Sequence, residues 1–248
     1  MCSSDLAGRS ARDGVPPGLV DAVAFNPGGL AGVWAEENSR AAIFAALKRK
    51  ETWGTSGPRI VVRFFGGWDY PGDLCTASDL VAQGYAGGVP MGGTLAAPSD
   101  AVTPPRFVVS ALRDPGAPDE PGAPLQRVQI VKGWREGDAP QVAVYDVAGD
   151  PDNGATVDTT TCQPSGPGAA ALCAVWTDPA WDPAQRAFYY ARVLENPTCR
   201  WSTLQCNAHG VDCGNPATIG EGLEGCCDAR FERVVQERAW SSPIGYAP

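Results

Sequence analysis

Seven of the nine cysteines lie between Cys162 and Cys227, in a stretch broken repeatedly by Gly, Pro and Asn, and only Cys2 and Cys75 fall outside it. A cysteine-dense, loop-rich tail of this kind either holds metal or is stapled by disulfides. No C-x-x-C spacing occurs and the chain has one histidine, His209, so disulfides and an oxidising compartment are the better reading. The candidates are Cys162, Cys173, Cys199, Cys206, Cys213, Cys226 and Cys227, and with Cys2 set aside the total is even. Eight cysteines admit roughly 105 connectivities, so the spacing assigns none. A zinc-stapled tail built on Cys206, His209 and Cys213 is the weaker alternative, because that spacing matches no common site.

The rest of the 248-residue chain reads as short strands between long turns. Thirty glycines and 23 prolines favour loops, while 44% hydrophobic residues supply enough apolar surface to offset the entropy of ordering. Strand candidates are 60–65, 106–112, 126–131, 141–147, 187–194 and 231–238. Most alternate with period 2: Val128 and Ile130 fall on one face, Arg127 and Gln129 on the other. Turns such as "DPGAPDEPGAP" and "GDPDNG" separate them. A run of strands with turn signals between them predicts a mainly β, sandwich-like antiparallel architecture.

One helix stands out, over 39–51. Asn38 or Ser39 can cap it, Glu36 and Glu37 face the positive end of its dipole, and Lys48, Arg49 and Lys50 complement the other end. Ile43, Phe44 and Leu47 share one face, which predicts docking through a narrow apolar stripe. No second convincing amphipathic helix follows.

Several function classes are excluded by composition. The formal net charge is -9 and the cations are scattered, which argues against nucleic acid as a partner. No apolar run approaches the roughly 20 residues of a membrane span. A lone His209 cannot complete a histidine-dependent metal centre, and no G-x-S-x-G elbow accompanies it. Glycine clusters such as "PMGGTL" match neither a Walker loop nor G-x-G-x-x-G. Eight tryptophans are expected mostly in the core, and an exposed row of them would mark a carbohydrate-stacking surface.

The opening "MCSSDLAGRSARDG" lacks the apolar core and cleavage site of a secretory signal, which conflicts with an oxidising destination. Residues 1–30 are therefore expected to be a linker or an artefactual start, the natural chain beginning further upstream.

Several ordered blocks carry a family resemblance. "GGLAGVWAEENSRAAIFAALKRKETWGTSGPRIVVRFFGGW", "GVPMGG", "PLQRVQIVKGW", "VYDVA", "DPAQRAFYYARVLENPTCRWST" and "VQERAWSSPIGY" together resemble the C-terminal part of a bacterial domain-of-unknown-function family. That family is related to the polymerase and histidinol phosphatase (PHP) metal-dependent phosphoesterases. The resemblance runs from about Asn26 to Pro248; Gly245 departs from it, standing where an aromatic residue is expected.

The resemblance implies a periplasmic or secreted hydrolase acting on phosphate or sulfate esters, with a divalent metal held by motifs of the H-x-H and D-H kinds. Those motifs are absent from this sequence, so no cofactor or metal ligand carries over to it. Residues 31–65 would end the hydrolase-like α/β domain as a remnant edge of its barrel, and 66–248 would form a β-rich C-terminal domain. Glu36, Glu37 and Asn38 would lie near the barrel mouth, with Thr55, Ser56 and Arg59 on a turn able to approach an anionic group. The partner would be the catalytic N-terminal half of the same parent, and this chain alone would be inactive. The alternative is a non-enzymatic, disulfide-stapled β-domain that binds a partner or glycan.

Overall fold

The computed structural model describes residues 28–98, 103–118 and 121–248. The expectations for residues 1–27, Cys2 among them, lie outside the described residues. The chain opens with strand β1 (Leu30–Val33), helix α1 (Arg40–Arg49), β2 (Thr52–Thr55) and β3 (Val61–Gly67). Helix α2 (Leu80–Gly87) then leads into β4 (Gly88–Pro90), β5 (Thr94–Leu95) and β6 (Arg106–Leu112). A long hairpin, β7 (Leu125–Glu136) and β8 (Ala139–Gly149), precedes the short β9 (Thr156–Val157) and β10 (Pro164–Ser165). After β11 (Ala171–Thr177), β12 (Ala187–Glu195) and β13 (Thr198–Cys199) comes helix α3 (Trp201–Ala208). The chain closes through β14 (Val234–Val235), β15 (Arg238–Ser241) and β16 (Ile244–Tyr246).

Two sheets form a sandwich. In the larger, β12 pairs with β7 along one edge and with β15 and then β16 along the other; β8 extends it beyond β7, and β2 and β1 beyond β15. The smaller runs β11-β6-β3-β4, all antiparallel. The larger sheet contains one parallel pair, β16 with β5. Neither sheet closes into a barrel, and the mainly β reading holds. Between the sheets, Val62 and Phe64 of β3 and Phe107 and Val109 of β6 face Val128, Ile130, Tyr189, Ala191 and Val193. A second cluster, Phe65, Tyr70, Leu74 and Val108, covers the outer face of the smaller sheet.

Three details depart from the sequence reading. The docking stripe of α1 is not formed: Phe44 and Leu47 are 66% and 49% exposed, and Ala46 is the helix's one buried residue. The helix is held by its ends instead, Ser39 Oγ accepting from the Ala42 amide and Lys50 capping the C-terminus in the left-handed region. Helices α2 and α3 were not expected. Finally, the strand read over 231–238 divides into β14 and β15 with a break between them.

All eight cysteines of the described residues are paired, as Cys75–Cys173, Cys162–Cys199, Cys206–Cys226 and Cys213–Cys227. Cys75, outside the tail, staples the turn at Leu74–Thr76 to β11. With Cys206 and Cys213 in separate disulfides, the zinc reading loses its thiolates and is overturned. Four disulfides point to an oxidising, extracellular compartment.

Candidate functional site

Strand β3 alternates, with Val62 and Phe64 turned to the core, so Arg63 emerges on the opposite face. Trp34, just past β1, lies beneath it, with the Arg63 guanidinium carbon 3.3 Å from the indole centroid. Trp34 is itself fixed, donating from Nε1 to the Val62 carbonyl at 2.9 Å. Glu51, 3% exposed, accepts from an Arg63 terminal nitrogen at 3.5 Å and pairs with Arg49 at 3.5 Å. The Tyr85 hydroxyl, delivered by α2, donates to Glu51 and accepts from Arg63 at 3.1 Å. Burial, then the hydrogen bond and charge of Glu51, pushes the Tyr85 phenol up, so it stays a donor at neutral pH.

These groups, with Ala35 and Glu36, line a cavity of about 540 Å³. Its chemistry follows from how Arg63 is held. A guanidinium stacked on an indole offers its planar edge, the geometry that grips a carboxylate, phosphate or sulfate with parallel hydrogen bonds. One Arg63 terminal nitrogen is committed to Glu51 and Tyr85, and no hydrogen bond to its other N–H groups occurs among the described residues. The carboxylate that could oppose an anion, Glu51, is already engaged by two arginines and a phenol.

The residues expected at a site divide. Glu36 lines this cavity; Glu37 and Asn38 are exposed and do not. Of the two expected caps of α1, Ser39 is the one used, and no acidic residue lies within the helix's first turn. Thr55 is buried and its Oγ1 accepts from the Gly57 amide at 3.2 Å. Ser56 donates to Glu237, and its Oγ accepts from the Arg238 amide at 2.8 Å. Arg59 meets Asp114 through its backbone amide at 2.6 Å and its guanidinium at 3.0 Å. Burial alone would raise Asp114; the amides of Arg59 and Gly116 and the Arg59 charge outweigh it and hold the carboxyl below its usual range. Thus Thr55, Ser56 and Arg59 fasten the turn after β2 to β15 and to the loop following β6.

Glu51, Arg63 and Tyr85 were not read as site residues. The available signal was Arg63, a lone charge inside an apolar strand. Expected tryptophan positions fare better: Trp34, Trp53, Trp68, Trp176 and Trp181 pack against the core, and all eight tryptophans are half-buried. No exposed tryptophan row exists among the described residues. Nor, among those residues, is any group of three or more His, Cys, Asp or Glu placed to hold a metal ion. No helix among the described residues is long and apolar enough to cross a membrane.

Fold and site together define a disulfide-stapled antiparallel β-domain carrying a rigid arginine-tyrosine cavity. The chain matches the family model described as protein of unknown function (DUF3604) over residues 7–248 and belongs to that family. No curated protein and no solved structure matches it.

Proposed function

We propose that this chain is the anion-recognising, non-catalytic part of an extracellular hydrolase acting on phosphate or sulfate esters, secreted or periplasmic. The observation that carries the reading is Arg63, stacked on Trp34, anchored by Glu51 and Tyr85, and edging a cavity with Arg49. The hydrolase half of the reading rests on the sequence resemblance. The chain's own residues supply binding and orientation: Arg63 and Arg49 take the ester's anion, and Tyr85 holds the guanidinium plane. No step of bond cleavage is assigned to them, and the catalytic half of the parent is the expected partner.

Calorimetric titration with inorganic phosphate, inorganic sulfate and phenyl phosphate tests this. Saturable binding that weakens with salt is expected, reduced about tenfold by Arg63→Met and several-fold by Arg49→Gln, with tenfold equal to about 1.4 kcal/mol. Arg49 is half exposed, so its removal leaves the fold intact and separates lost binding from lost structure. Absence of saturable binding, or equal binding by both variants, would refute the proposal.

A further inference from the structure

The outer face of the larger sheet carries a second recess, away from the Arg63 cavity in its lining and independent of that reading. It measures about 900 Å³ and lies where the β7–β8 hairpin meets the start of β12. Its floor is set by register: Phe188 of β12 stands directly opposite Gly133 on one side and Gly245 on the other. A Cβ on Gly133 would come within 2.2 Å of the Phe188 ring, so glycine is what allows the ring to lie down against the sheet. With no side chain on either cross-strand neighbour, Phe188 remains 44% exposed. Val142, opposite Gly133 on β8, is 65% exposed and continues the apolar floor.

The rim is polar and its charges are unequal in freedom. Glu136 accepts from the Trp134 indole at 3.3 Å, Asp182 from the Ala184 amide at 2.8 Å, and Arg135 pairs with Asp138 at 3.1 Å. Arg186 lies on the same rim, and its guanidinium makes no hydrogen bond or ion pair with any described residue. An open flat ring beside an unengaged guanidinium suits a ligand with a flat apolar face and an anionic substituent. We propose that this recess binds an acidic carbohydrate, a uronate- or sulfate-bearing sugar stacked on Phe188 with its anionic group on Arg186. The chain's net charge of -9 repels a polyanion as a whole, so retention of one reports a local site.

The test is affinity electrophoresis of the folded chain in gels containing polygalacturonate, chondroitin sulfate or neutral dextran. Retardation by at least one acidic polymer and not by dextran is expected. Phe188→Ala should weaken it about tenfold and Arg186→Glu should abolish it, while Phe44→Ser, an exposed position of α1 that lines neither cavity, leaves it unchanged. Arg186→Glu alters only an exposed side chain and keeps the test decisive if Phe188→Ala melts early. Retardation by dextran to the same degree, retention by Arg186→Glu, or no retardation by either acidic polymer would overturn the proposal.

Discussion

Glu195 is the last inward-facing residue of β12, 2% exposed, with Oε1 lacking a hydrogen-bond partner among the described residues. Burial first, then the charges of Glu237 and Asp114, pushes its carboxyl from 4.5 up to about 8. The folded state thus holds this proton more tightly than the unfolded chain does. Below about pH 4.5 both states carry it and no penalty exists. As pH rises towards 8 the unfolded chain ionises first, and stability falls by about 1.4 kcal/mol per pH unit until the folded carboxyl also titrates. The interval between 4.5 and about 8 corresponds to a loss of about 4–5 kcal/mol, an upper figure because water entry and relaxation soften the cost of a buried charge. For a domain of this size that is on the order of 10 °C in melting temperature. Glu195→Gln keeps the shape of the protonated acid and cannot ionise, so its melting temperature should exceed the wild type's by a margin that grows from pH 5 to pH 8.5. Circular dichroism melts of both proteins across that range decide it. Parallel curves, with no widening gap, would refute the argument.

Other perturbations follow from the same contacts. Lys132 donates to Asp178 at 2.6 Å in a fully buried pair that Tyr189 also joins at 2.7 Å, so Asp178→Ala strands a cation and should cost about 3–5 kcal/mol in urea denaturation. Removing the Cys75–Cys173 disulfide, which closes a loop of sequence separation 98, should cost about 4–5 kcal/mol in the chain-entropy account, measured by the same method on the double serine variant. Phe44→Ser and Leu47→Ser change exposed positions and should shift stability by less than about 0.5 kcal/mol while reducing light scattering in concentrated solution. Glu36→Gln removes a like charge from the Arg63 cavity and should strengthen phosphate binding about two- to threefold at low salt, read by calorimetry.

Much of the fold was legible because half-buried strands advertise themselves by alternation. The strand read over 106–112 matches β6 residue for residue, and those read in the β7–β8 hairpin lie within longer strands. Strand β11 was missed because "ALCAVWT" is apolar without alternation, and nearly all of it is half-buried. Helix α2 was hidden by its glycines, which lower helix propensity; Gly84 is needed because a Cβ there would lie 2.7 Å from Phe65. In α1 the apolar spacing was real, yet the helix is fixed through its caps and leaves Phe44 and Leu47 outside. The site was harder to read because its members come from just past β1, the junction of α1 and β2, α2 and β3, and no short motif records that Trp34, Glu51, Arg63 and Tyr85 converge. The signal available was Arg63, the one charge in the apolar strand read over 60–65, and it leads to an open cavity.

Anion recognition by Arg63 is the central claim, and it is tested most directly by diffraction from crystals soaked in selenate, a heavy sulfate analogue. The account predicts an anomalous peak within hydrogen-bonding distance of the Arg63 guanidinium, between it and Arg49, that disappears in Arg63→Met. A peak confined to other sites, or none in a cavity open to solvent in the crystal, would contradict it.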